Sequence, residues 1–288
     1  AKLYAHDPSY LTEYALAAFA NQKNDVSKQL ALYGLSQKPR NAGYNRLALY
    51  NSVELKQYED AAKYVDALFN KSDSVELTAN DYKFAGLTFS ALKDYDSAIN
   101  YYNKQLASAT DPALKAGVYK ELSDAYKAKG DFAKSLELYE EYLKNNPKVG
   151  INDYNGLATI YRNQAANQTG AAQTASVNKA VEIYNQMAEK YPSNADFCSF
   201  MAARTLGISD PTQAKGLARP YYEKLIKIIE ANGVKSDADK SRLSEAYTYM
   251  GIYLYKIKNE AAAAKPYFEK LLQLDPENAT AKQVLATY

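Results

Sequence analysis

Apolar, small and polar positions return along this chain in a fixed helical order, at intervals of thirty-odd residues. In the clearest copy Tyr119, Ser123 and Tyr126 fall on one stripe; Ser135 comes twelve residues after Ser123, followed by Tyr139 and Pro147. The copy before it reads Tyr82, Gly86, Phe89, Ala98 and Tyr102, with its proline, Pro112, slightly late. Spacings of three and four place such residues on one face of a helix, and the polar residues between them face away. Each copy therefore predicts two amphipathic helices joined by a short turn. A fixed period of this length predicts stacked units, none of which can bury its apolar face alone.

The turns repeat as well. Pro39-Arg40-Asn41-Ala42, Pro192-Ser193-Asn194-Ala195 and Pro276-Glu277-Asn278-Ala279 share one chemistry. The proline ends one helix and the asparagine two residues on can cap the next. Inner turns such as Lys56-Gln57-Tyr58, Lys93-Asp94-Tyr95 and Lys129-Gly130-Asp131-Phe132 set an aromatic just after a polar bend. These landmarks divide a single array over 1–288 into units at about 9–40, 41–72, 78–112, 115–148, 151–193, 194–233 and 239–277, with 278–288 as a capping helix.

Three places depart from the period. Between Ala158 and Ala180 the spacing is twenty-two residues rather than twelve, and the extra segment, 163–178, predicts partly extended helices with a mobile tip. Ser209-Asp210-Pro211 reads as a helix start with proline at its first position. Pro220 and Pro266 sit in matching eight-residue segments forty-six residues apart, early in a second helix or kinking it.

A helix with Tyr/small/Tyr, a second with Ala-x-x-x-Phe/Tyr and a terminal proline resembles the tetratricopeptide repeat (TPR) across nearly the whole chain. The chain has no tryptophan, and Tyr82, Tyr119, Tyr154 and Tyr247 stand at the leading aromatic position. The resemblance implies an all-α, right-handed superhelical solenoid of about seven TPR-like helix-turn-helix repeats. It implies a non-catalytic scaffold whose concave face, lined by first helices, holds a peptide segment or partner protein. The lysine–asparagine clamp by which some members grip a chaperone tail is not reproduced, because Tyr50 and Leu87, or Phe84 and Glu121, occupy its asparagine positions.

Composition changes this picture little. The 35 basic and 33 acidic residues nearly cancel, which offers no case for nucleic acid or membrane attraction. No stretch approaches the roughly 20 apolar residues that span a bilayer. The lone Cys198 excludes an intramolecular disulfide and a cysteine zinc site, and it reads as a buried small apolar side chain. His6 is the only histidine, so nucleophile–histidine arrangements have no base. No phosphate-binding glycine loop or cofactor motif is present. An acid pair facing across the groove stays open as a route to catalysis.

Charge is nonetheless patterned. Arg46, Lys83 and Lys120 are spaced by thirty-seven residues and occupy equivalent places in successive first helices. Lys127 and Arg162 lie one or two turns along the same face, with Tyr50, Asp124 and Asn155 nearby. Such a ladder suits an acidic segment or a C-terminal carboxylate. Solvated surface cations, screened by Glu121 and Asp124, give the same pattern. The 28 tyrosines are at once core rings and candidate contact residues, Tyr50, Tyr249 and Tyr255 being expected on the inner wall.

The chain opens at Ala1 without methionine, and Leu3-Tyr4-Ala5-His6-Asp7-Pro8 reads as the tail of an earlier second helix. An export signal, earlier repeats, or both are expected upstream. Together with heavy use of Lys, Asn and Tyr, which points to an AT-rich bacterial genome, this motivates an alternative: an assembly module of a larger cell-envelope protein. Periplasm or envelope is favoured over cytoplasm on the same grounds.

Overall fold

The computed structural model describes residues 8–288. The reading of residues 3–7 as a helix tail, and His6 with it, falls outside them. Among the described residues the chain is all-α, with fifteen α-helices and no strand. It divides into two compact units, residues 1–147 and 148–288.

The first unit holds four antiparallel pairs: α1 (Pro8–Ala20) with α2 (Asn24–Gln37), α3 (Ala42–Glu54) with α4 (Tyr58–Asp66), α5 (Ala79–Ala91) with α6 (Tyr95–Ser108), and α7 (Pro112–Lys129) with α8 (Phe132–Asn145). The second holds α9 (Ile151–Ala166) with α10 (Gly170–Lys190), α11 (Ala195–Leu206) with α12 (Arg219–Asn232), α13 (Asp237–Ile252) with α14 (Ala261–Leu274), and the short α15 (Ala279–Leu285).

Small residues let the paired helices approach. A Cβ on Gly86 would lie 2.3 Å from Cε1 of Tyr102, so the ring of α6 rests on the bare backbone of α5. In the next pair serine replaces glycine: the Ser123 hydroxyl donates to the Ser135 carbonyl at 2.7 Å and meets the Ser135 hydroxyl at 2.9 Å. Both serines are fully buried, and this mutual bond satisfies polar groups that burial would otherwise penalise. Tyr102, Leu122, Tyr184 and Phe268 are also fully buried. Each removes enough apolar surface from water to contribute about 2–3 kcal/mol.

The inner turns share one backbone device. Gln22, Lys56, Lys93, Gly130 and Asn259 all adopt left-handed φ, between 55° and 87°. Each reverses the chain so that the next helix lies back on its partner. Asp94 and Asp131 then cap that next helix, accepting from Ser97 and Lys134 backbone N–H at 3.1 Å. At the closing turns Asn41 and Asn278 cap as the sequence suggests, through Tyr44 and Ala281 N–H. Asn194 does not: the chain makes a 3-10 turn over Pro192–Asn194, and its side chain makes no cap bond.

Of two irregular places, the first meets expectation in its extended helices and the second differs from it. The extra residues of the fifth pair lengthen α9 to 16 and α10 to 21 residues, leaving a three-residue turn at 167–169 and no protruding loop. Ser209-Asp210-Pro211 starts no helix. Residues 207–218 form a run of turns around the buried Asp210, whose carboxylate accepts from the N–H groups of Lys215 and Leu217. Bonds from N–H groups five and seven residues on to this acid replace the helical ladder there. Pro220 falls in the first turn of α12, and Pro266 lies inside α14.

Candidate functional site

The first helices of unit 1 carry most of the candidate residues, and the structure gives each a distinct environment. Thr78 and Asp81 form a capping box at the start of α5, which draws the Asp81 carboxylate into the fold until it is fully buried. Arg46 of α3 meets it as a two-pronged clamp, with Nε 2.7 Å from Oδ1 and Nη2 2.8 Å from Oδ2. Nη2 also donates to the Glu76 carbonyl at 2.8 Å. Tyr50, one turn along α3, donates its hydroxyl to Asp81 at 2.8 Å and stacks on Phe84 with ring centroids 4.0 Å apart.

Burial alone would raise the Asp81 carboxyl. The bonds from Arg46, Thr78 and Tyr50 outweigh it and hold the group below the ordinary carboxylate value. Burial, then the negative Asp81, pushes the Tyr50 phenol up. Arg46 and Tyr50 are therefore committed to a repeat-to-repeat link. Tyr50 and Tyr249, expected on an inner wall, are buried at 7% and 8% exposure, while Tyr255 is half-buried. The reason is common to both buried rings: each packs on another aromatic, Phe84 or Tyr222.

Further along, Lys83 of α5 is half-buried and faces Glu121 of α7. Lys120 holds its ammonium 5.1 Å from the centroid of the Tyr142 ring, a cation–π contact with α8. Lys127 pairs with Asp124 one turn back on the same helix. Glu121 is half-buried, and its Oε2 atom is fully enclosed with no hydrogen-bond partner. Burial pushes its carboxyl up to about 7, Lys83 opposing the shift and Asp124 adding to it.

The remaining candidates belong to unit 2. On α9, Asn155 accepts from the Tyr184 hydroxyl through Oδ1 at 3.4 Å, and Arg162 acts on the same phenol. The Arg162 Nε is buried without a partner. A second clamp, silent in the sequence reading, lies beyond them: Arg204 of α11 donates to Glu245 of α13 at 2.9 and 3.2 Å, and Tyr222 donates to the same carboxylate at 2.8 Å. Arginine, acid and tyrosine thus recur as a unit, and a search for Arg and Asp/Glu one repeat apart would have found both. Arg242 similarly bridges α13 to Asp196 of α11.

Chemistry beyond contact has little to build on. Cys198 is buried, and burial raises its thiol to about 11, far from a reactive thiolate. Among the described residues no group of three His, Cys, Asp or Glu can hold a metal ion. Among them, too, no helix is long and apolar enough to cross a membrane. Glu121 and Asp124, whose charges act on each other, share one helix, and Asp124 is engaged by Lys127.

Paired helices with a small-on-aromatic contact, a polar inner turn and a proline-marked exit define a helical-repeat protein. Tetratricopeptide repeat models match residues 82–116, 116–149 and 244–278, and the chain carries that repeat at these places. Solved structures agree on the fold. The C-terminal part of a TPR repeat-containing protein from Cytophaga hutchinsonii is 22% identical, covers 95% of this chain and 99% of its own, and superposes with a TM-score of 0.72. A tetratricopeptide repeat protein from Parabacteroides merdae is 13% identical over 96% of this chain and 97% of its own, with a TM-score of 0.53. The MamA protein is 16% identical over 65% of this chain and 93% of its own, at 0.51. No curated protein matches the sequence. Repeats of this family serve in general as protein-interaction scaffolds, and at that level the chain is one.

Proposed function

We propose that this protein is a non-catalytic scaffold that holds an extended segment of a partner protein against its first helices, and that unit 1 favours acidic groups, either side chains or a C-terminal carboxylate. The observation that carries the charge preference is the unequal use of the cations. Arg46 is neutralised by Asp81 and Lys127 by Asp124, whereas Lys83 faces a carboxyl that burial holds near half-protonation at neutral pH. Lys83 is thus the cation that orients a partner on α5. In unit 2, Asn155 and Arg162 offer an amide and a guanidinium to a segment crossing α9.

Anisotropy of a fluorescent peptide of ten aspartates tests this directly. Reversing charge in Lys83→Glu weakens binding about fivefold, the worth of one charge contact, and flattens the salt dependence. Unchanged binding and salt slope would sink the acidic preference.

One observation favours a second reading, in which the chain is an assembly module. On the first pair Tyr10, Tyr14, Leu16, Leu32 and Tyr33 are 61, 49, 51, 38 and 43% exposed, a concentration of apolar surface of the kind that marks interaction sites. Sedimentation of the protein over a hundredfold concentration range reads it out. Self-association lost in Tyr10→Lys/Leu16→Lys supports assembly, and a monomer throughout excludes it.

A further inference from the structure

The two arginine–acid–tyrosine clamps are built alike, each taking its acid from the next first helix. In both the acid sits on the arginine Nε: Asp81 lies 2.7 Å from that of Arg46, and Glu245 2.9 Å from that of Arg204. Tyr50 and Tyr222 donate to the same two carboxylates. Arg40, Arg219 and Arg242 likewise pair with Asp73, Glu223 and Asp196. Arg162 is the exception. Among the described residues it pairs with no carboxylate, and its Nε is enclosed without an acceptor. An enclosed donor that meets no acceptor carries a desolvation penalty with nothing to offset it.

The other parts of a clamp are in place on α9 and α10. Burial raises the phenol of Tyr184, and the nearby Arg162 guanidinium opposes the rise. With no acid to receive it, the Tyr184 hydroxyl makes a long bond of 3.4 Å to Asn155 Oδ1. That bond occupies the carbonyl end of the amide and turns Nδ2 outward. Neither this Nδ2 nor the Arg162 Nη atoms are enclosed. Asn155 and Arg162 stand two turns, about 10 Å, apart along one helix. The sequence of α11 explains the missing acid. Asp196 is the only acid of that helix, and Arg242 takes it. At 35 and 41 residues beyond Arg162, the separations of the two complete clamps, the chain carries Phe197 and Ala203. On α10, Glu182 is held by Lys179.

We propose that Arg162 and Asn155 form a third clamp whose acid comes from outside, a single carboxylate of a partner chain. The protein's own Asp81 and Glu245 define the ligand class, because they fill the same guanidinium fork elsewhere in the molecule. The carboxylate enters at the Nη atoms and at Asn155 Nδ2, which are open to solvent, and a turn of the guanidinium brings Nε onto it. Tyr184 is a positioning residue, holding the amide so that its N–H groups point outward. Binding satisfies the enclosed donor and neutralises the one arginine left without an acid. The inference rests on the scaffold reading above and fixes what unit 2 recognises: one planar carboxylate, from an acidic side chain or from a chain terminus.

The first probe is acetate, titrated into the intact protein at constant ionic strength while nitrogen-15 NMR follows the arginine Nε–H signals. The Arg162 signal shifts and saturates, whereas those of Arg46 and Arg204, whose Nε is occupied, stay still. Arg162→Lys keeps the charge but not the fork, and weakens acetate about tenfold. Asn155→Ala weakens it about threefold, the worth of one hydrogen bond. Thermal melts confirm that the variants fold, and the wild-type titration depends on neither. Peptides then identify the source: Gly-Ser-Gly-Ser with a free C-terminus, its C-terminal amide, and the amide with a central aspartate. Binding of the first assigns a chain terminus, and binding of the third assigns a side chain. Equal binding of the plain amide overturns the carboxylate requirement. An Arg162 signal that does not move, or moves equally with chloride, overturns the clamp, as does acetate binding unchanged in Arg162→Lys. The ten-aspartate peptide separates the two readings: if it still binds through Lys83, the acidic preference of unit 1 stands and the clamp alone falls.

Discussion

Arg46 and Asp81 lie thirty-five residues apart and meet through two parallel hydrogen bonds of 2.7 and 2.8 Å, tying the first helix of one repeat to the first helix of the next. The pair is asymmetric in exposure: the Asp81 side chain is fully buried, while that of Arg46 is 28% exposed. Such a bridge is stronger evidence for register than for net stability, since both ions are desolvated to form it. Removing one partner is a different matter. Arg46→Met leaves a buried carboxylate held only by Tyr50 and Thr78, and should cost about 3 kcal/mol. Chemical denaturation followed by circular dichroism measures it, and a cost below about 1 kcal/mol would show that the clamp is dispensable.

The same pair fixes an acid limb. The folded Asp81 carboxyl titrates below its ordinary value, so the unfolded chain binds the proton more readily. Its contribution is complete above the unfolded value of about 3.9 and fades as pH falls through the folded value. Comparing wild type with Asp81→Asn between pH 7 and pH 2.5 should show the stability gap closing only below about pH 4. A gap that is constant with pH would mean that the charge of Asp81 does not matter.

How far the fold was legible depends on what each signal reports. The period and the small/aromatic alternation are consequences of packing within a repeat, so Gly86 beneath Tyr102 and Ser123 beside Ser135 are visible as residue types. The irregular segments were harder because their determinants are local hydrogen bonds. Asp210 wraps a chain of turns around its carboxylate, whereas Ser-Asp-Pro in isolation looks like a helix start. The candidate site was only partly readable for a related reason. Arg46, Lys83 and Lys120 are equivalent by spacing, but their neighbours are not: Asp81 comes from a capping box and Glu121 from mid-helix. Repeat arithmetic aligns positions within first helices and is blind to what the next helix turns towards them.

Small-on-aromatic packing predicts a sharp penalty at one glycine. Gly86→Ala puts a methyl where the Tyr102 ring already sits, and neither helix can yield without disturbing its pair. Overpacking of this kind costs about 1–3 kcal/mol. The double variant Gly86→Ala/Tyr102→Leu, measured by urea denaturation, should recover part of that loss. If the two effects simply add, the clash is not the cause.

The inner turns predict a gain. Lys93 is held at φ 63°, a region that strains any residue with a Cβ, while the matching Gly130 adopts 87° without that strain. Lys93→Gly should stabilise the protein by about 1 kcal/mol, less the backbone entropy that glycine adds to the unfolded chain. Gly130→Ala should destabilise it by a similar amount. Opposite signs at two equivalent turns are the expected result, and equal signs would show that side-chain contacts, not φ, govern the turn.

Glu121 imposes a pH dependence opposite to that of Asp81. Its folded carboxyl titrates at about 7 against an ordinary value of 4.5, so the native state holds the proton more tightly than the unfolded chain does. Stability attributable to this group is therefore greatest at low pH, falls as pH rises through the interval from 4.5 to about 7, and is level above it. The loss amounts to roughly 2 kcal/mol, somewhat less than the full shift implies because the side chain keeps contact with water. Glu121→Gln removes the ionisation while keeping shape and hydrogen-bonding capacity. It should match the wild type near pH 5 and exceed it near pH 8, where the native wild type must carry a buried charge without a donor. Denaturation curves at the two pH values decide the matter: a variant no more stable than wild type at pH 8 would mean that the enclosed oxygen finds a donor in solution.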